Sequence, residues 1–185
     1  QEYLSGLNKI APKAIQTGQS MQTLLGAMAA MTTDTKDAAG AFTNLENVLS
    51  KMFDAKYEKG LQEVFGTSFF DAQGNVKQLN VLIEELAVKM QGLTKEQQVE
   101  KIGAVFKDAQ ARDGILAMIT NLDKFKKALA DGGDIDKFRA NQSQMLDATE
   151  ARWKTFWARL SEGQTSFGAR FSSDFLSVFD SSTVI

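Results

Sequence analysis

Carboxylates, lysines and tyrosines carry whatever acid–base or nucleophilic chemistry this sequence can perform. Histidine and cysteine are both absent from its 185 residues. A Ser-His-Asp triad, a cysteine nucleophile, a disulfide and a zinc–thiolate site therefore cannot be built. A hydrolase working with carboxylates alone, as a muramidase does, needs two whose environments differ. Glu84 and Glu85 are adjacent, so on a helix they point about 100° apart and cannot face one substrate as a pair. Glu46 and Lys51 are surface-type charges. Asp71, Gln73 and Asn75 alternate like the start of a calcium loop. Glycine then falls at the fourth position instead of the sixth, and Leu82 stands at the twelfth, where such a loop needs glutamate. Gly132-Gly133 follows a helical stretch and lacks the lysine of a phosphate loop. These patterns point away from an enzyme and assign no catalytic residue, metal or cofactor.

The elements that must position these residues are helical. Hydrophobic residues make up 43% and charged residues 24% of the chain, which suits a packed core in one domain or two small ones. The formal net charge of -2 argues against a large phosphate-neutralising surface, so nucleic acid is a poor partner. The most apolar run, Leu24 to Met31, is far shorter than the roughly 20 residues of a membrane-spanning helix. The chain starts at Gln1 with a helical stripe of Tyr3, Leu4, Leu7 and Ile10 already under way, and breaks off at Ile185 after another helical pattern. It reads as an excerpt from a larger protein.

Pro12 fits the first turn of a helix, where its missing N–H costs nothing. That helix carries Ile15, Met21, Leu24, Leu25, Met28 and Met31. Gly26, Ala27, Ala29 and Ala30 give it a smooth surface, either for close helix packing in a core or for self-association. Thr32-Thr33-Asp34-Thr35 reads as a break and cap cluster. A second helix carries Phe42, Leu45, Leu49, Met52 and Phe53, is interrupted at Gly60, and continues briefly to Gly66. Thr67–Phe70 is β-prone, and Asp71-Ala72-Gln73-Gly74 reads as a turn with Gly74 at positive φ. Asn75–Gln78 would pair back to complete a small β-hairpin around residues 67–78, too little to stand without helices behind it. Leu79, Leu82, Ile83, Leu86, Ala87 and Met90 follow helical spacing to Gly92. Thr94-Lys95-Glu96-Gln97 is a capping box, after which Val99, Ile102, Val105 and Phe106 face inward. A weak break at Asp113-Gly114 precedes a further stripe from Ile115 to Leu129.

From Asp134 onward no strong stop intervenes. Phe138, Met145, Trp153, Phe156, Trp157, Leu160, Phe167, Phe171, Phe175 and Phe179 form an aromatic-rich stripe on one long helix. Such a seam has to pack on this domain, on another copy or on a partner. Glu150, Glu162 and Asp174 punctuate it without a lysine-rich face, which disfavours a membrane surface. The chain thus reads as mainly α. A multi-helix unit with the small hairpin covers residues 1–133, and the aromatic helix covers 134–185, packing on that unit or projecting from it.

The order of features from Ala14 to Gly133 resembles the core region of tail tape measure proteins of long-tailed bacteriophages. The small-residue helix Leu24–Met31 comes first, and a helix ending near Met52 follows. Then come a glycine, a short hydrophobic pair and the turn Asp71-Ala72-Gln73-Gly74-Asn75. A Leu/Ile-rich helix leads to Gly92-Leu93-Thr94-Lys95-Glu96-Gln97, and Lys101-Ile102-Gly103-Ala104-Val105-Phe106 closes the series. Family members often have a proline before the turn and a glycine after the Ile-Phe pair; here no proline follows Pro12, and Lys107 follows Phe106. The resemblance implies a structural role in phage or prophage tails: setting tail length and supporting assembly and genome delivery. It implies residence in the tail tube lumen of the virion, and in the host cytoplasm during assembly. The implied partners are the tail tube protein, a tail assembly chaperone, baseplate or tip proteins, and further copies of the chain. Asp71 and Gly74 would serve as a structural turn, and Trp153, Phe156, Trp157, Phe167, Phe171 and Phe175 as an interaction seam. The alternative is a membrane-active delivery segment that inserts the small-residue helix and aromatic tail into a host envelope.

Overall fold

The computed structural model describes residues 10, 12–35 and 37–131. Residues 12–17 are helical (α1). They lead into α2 (Met21–Thr35), α3 (Ala38–Lys51) and α4 (Ala55–Phe65). After the turn segment come α5 (Leu79–Lys89), α6 (Lys95–Val105), α7 (Ala109–Thr120) and α8 (Leu122–Asp131). The mainly α architecture is the one the helical spacing predicts.

α2 sits at the centre because it is apolar all round. Leu24, Leu25, Ala27, Met28, Ala29, Ala30 and Met31 are all buried, and the helix packs against α3, α5, α7 and α8. Its small residues make this possible. A Cβ added at Gly26 would lie 2.5 Å from the ring of Phe125 on α8. The smooth face of α2 is therefore covered from within the chain. α7 is the second hub and touches α2, α3, α5, α6 and α8. α4 pairs with α6, which joins the rest through α7. Phe106 welds this second group together, stacking on Tyr57 of α4 at 5.6 Å and meeting Phe69 edge-on at 6.5 Å.

The helix ends differ from expectation in three places. Thr32 and Thr33 do not break α2, which runs on to Thr35; their hydroxyls donate to Met28 O (2.8 Å) and Ala29 O (2.9 Å) one turn back. The cap of α3 is Asp37, whose carboxylate accepts from Ala39 N at 3.0 Å. Gly60 and Gly114 lie inside unbroken helices. An added Cβ would come within 3.1 Å of Val105 at Gly60 and within 3.1 Å of Met31 at Gly114, so both are sites of close packing. The interruption after α3 falls instead at Met52–Asp54, where Asp54 caps α4 through Lys56 N at 2.9 Å. Two residues assigned to inward stripes are also exposed: Phe53 (42%) and Val99 (45%).

The capping box of α6 forms as its pattern predicts. Gln97 N donates to Thr94 Oγ1 at 3.3 Å, and Thr94 N donates to Gln97 Oε1 at 2.9 Å. The hairpin around residues 67–78 reduces to one antiparallel bridge, Phe70–Val76. Asp71 N donates to Asn75 O and Lys77 N to Phe69 O, each at 2.8 Å. Pairing stops there because the adjoining residues turn to helices and side chains for their partners.

Candidate interaction surface

The turn at Asp71 is held by its own carboxylate. Oδ1 accepts from Gln73 N and Asn75 N, both at 2.9 Å, and Oδ2 from Asn75 Nδ2 at 3.2 Å. Gly74 N donates to Asp71 O at 3.1 Å, and Gly74 sits at φ 83°, a conformation that favours glycine. The Asn75 backbone and side-chain donors, with further help from Gln73 and Gly74, hold the Asp71 carboxyl below its ordinary pKa. Its oxygens are thus engaged by N–H groups of the same loop. Among the described residues no group of three or more His, Cys, Asp or Glu could hold a metal ion.

Two further carboxylates fasten the segment to the helices. Glu58 of α4 accepts from Ser68 Oγ at 2.6 Å, Phe69 N at 2.8 Å and Gln62 Nε2 at 2.6 Å. Glu85 of α5 accepts from both Lys77 Nζ (2.8 and 2.9 Å) and Thr67 Oγ1. Burial pushes the Glu85 carboxyl up, but the Lys77 and Thr67 hydrogen bonds outweigh it and leave the pKa below the ordinary value. Glu84 goes elsewhere, to Lys126 of α8 at 3.3 Å. The two adjacent glutamates therefore serve different neighbours.

Two glutamines join this segment to the α1–α2 connection. Gln19, 2% exposed, donates to Thr17 O and Lys77 O at 3.1 Å and accepts from Leu79 N at 2.6 Å. Gln78 donates to Gly18 O at 2.7 Å and accepts from Ser20 N at 2.8 Å and Thr23 Oγ1 at 3.1 Å. Each amide thus satisfies backbone groups of the other segment, and Gln19 supplies the cap that Gln78 does not give α5. Sequence spacing carries no sign of this clasp, whose halves lie 58–60 residues apart.

Beside the segment lies an open groove of about 870 Å³. It is lined by Gln62 near the end of α4, residues 66–68, Lys77 and the outer side of α5 from Val81 to Lys89. The opposite side of α5 is fully used: Leu79, Leu82, Ile83 and Leu86 are completely buried. Val81 and Val88, seven residues apart, are left 42% and 62% exposed on the groove. Such a surface suits docking of another apolar element more than chemistry on a small molecule. The proposed seam of Trp153, Phe156, Trp157, Phe167, Phe171 and Phe175 lies outside the described residues.

A family model described as phage-related minor tail protein matches residues 1–107, more than half of the 185-residue chain. The chain belongs to that family. Its role is accordingly structural, in a phage tail and among tail-associated partners. Comparison with curated proteins and with solved structures found no match.

Proposed function

We propose that the chain is a segment of a tail tape measure protein, the component that sets tail length and supports tail assembly and genome delivery. Membership of the minor tail family supports this reading, together with the order of motifs from the small-residue helix to Phe106. Within that protein the described helices act as a folded attachment module and not as part of the extended ruler. The observation that carries this is the continuous core joining α2 to α8. A ruler spends its residues on length, about 1.5 Å each in a helix; this unit spends them on burial. Its partners are the tube protein, the assembly chaperone, baseplate or tip proteins, or further copies in the tube lumen.

The test is an in-frame deletion of residues 12–131 from the parent gene, with tail length read by electron microscopy. The expected result is tails that keep their length but fail to assemble fully or to deliver DNA. Shortening by about 1.5 Å per deleted residue would make the segment part of the ruler. No effect on either property would remove the tape measure reading altogether. The membrane-active alternative loses half of its basis, because the small-residue stretch of α2, Leu24 to Met31, is already buried. Among the described residues no helix is long and apolar enough to cross a membrane.

A further inference from the structure

α5 buries one side and leaves two valines uncovered on the other, beside Glu84, Glu85 and Lys89. Among the described residues, Val81 and Val88 account for two of the four large hydrophobic residues left exposed, with Phe53 and Val99 the others. Single exposed hydrophobics are ordinary, whereas a pair facing one groove from one helix forms a seam. We propose that this groove seats the chain's own segment from Arg152 to Leu160.

The path of the chain favours this occupant. α8 runs beside α5, with Lys126 Nζ 3.3 Å from Glu84 Oε2, a residue of the groove wall. The chain thus leaves the described unit on the helix next to the groove. Residues 132–151 can span up to about 70 Å when extended, ample to return to α5 provided that the helical pattern read from Asp134 onward is interrupted before Arg152. Trp153, Phe156, Trp157 and Leu160 recur at i, i+3, i+4 and i+7, one face of a helix over two turns. Val81 and Val88 are separated by the same two turns, about 10 Å. On that helix Arg152 and Lys154 would flank the apolar face, one on each side. Glu84, paired with Lys126 but with its side chain 40% exposed, stands between the two valines, where Arg152 or Lys154 can join that pair. The aromatic face that needs cover and the valine face that lacks it then satisfy each other.

The composition supplies the probes. The chain has two tryptophans, Trp153 and Trp157, both inside the proposed segment, and no cysteine. In the full chain, tryptophan emission is expected to be blue-shifted and shielded from acrylamide. Val81→Lys with Val88→Lys is expected to red-shift it and raise quenching several-fold while far-UV circular dichroism stays unchanged. Emission that is already fully quenchable in the unsubstituted chain would overturn the proposal. So would emission that ignores both lysines. A second variant, Val88→Cys with Phe156→Cys, separates the chain's own segment from that of a neighbour. A disulfide needs the two Cα atoms within about 7 Å, and mild oxidation is expected to close one within a single chain, at monomer mass. A bridge formed only between chains would assign the groove to a second copy, and no bridge would leave it unoccupied; either result overturns the proposal.

Discussion

Gly26 shows how a missing side chain can hold a fold together. Phe125 is completely buried, so its ring has nowhere to swing if a side chain appears beneath it. Gly26→Val is expected to cost about 1–3 kcal/mol through overpacking, read as a lower Tm. Gly103→Ala makes the control, because an added Cβ there meets only the Arg112 stem at 3.7 Å. It should stabilise α6 by roughly 0.5–1 kcal/mol. Gln19→Ala would strand Leu79 N and Lys77 O together, at a cost of about 1–3 kcal/mol; equilibrium urea unfolding measures it. Asp71 and Glu85 contribute to the acid side of the stability profile. Both have pKa values held below their ordinary range. A depressed carboxylate adds stability that is fully present above its unfolded pKa and is lost as pH falls through the folded one. Stability is therefore expected to decline as pH falls below about 4, followed by urea unfolding read by circular dichroism. Asp71→Asn and Glu85→Gln should each flatten that acid limb. Both effects are small, because the Asp71 carboxyl is open to solvent and the Glu85 side chain is 35% exposed, so that solvent screens its Lys77 contact.

Helix ends were legible where the signal is local. The Thr94 capping box depends on residues three apart, and both of its hydrogen bonds form. The stripe from Leu79 to Met90 likewise translates directly into the buried side of α5. Gly60, Gly114 and the Thr32-Thr33 pair misled for a common reason. Glycine and threonine weaken a helix in isolation, but tertiary packing decides whether it ends. At Gly60 the neighbour is Val105 and at Gly114 it is Met31, and no window of sequence links those pairs. The Gln19–Gln78 clasp was hidden for the same reason, since glutamine has no motif and its partners are distant. Val81 and Val88 were hidden differently: they are ordinary helix residues until the other side of α5 is seen to be full. Phe106 is the junction of the second helix group. Phe106→Ala should cost about 3–5 kcal/mol and loosen α4 and α6 ahead of α2 and α7, which hydrogen exchange resolved by helix would detect.

At the scale of the molecule, one apolar cluster runs from Ile10 to Ala128. A single shared core predicts one cooperative transition, with circular dichroism and hydrogen exchange of α2 and α7 changing together. The boundary between residues 1–133 and 134–185 remains a proposal that cutting the chain near residue 133 would test. The partnership of α2 with α8 also has a mechanical meaning. Helices from near opposite ends of the unit lie side by side, locked at Gly26 and Phe125. Tension applied along the polypeptide would work to peel this pair apart, and the rest of the core would lose its cover as it parted. The unit would then stay shut up to a threshold force and yield as one step, releasing up to about 3.5 Å of slack per residue. A taut protein threaded through such a module would carry a reserve of length that appears only under load.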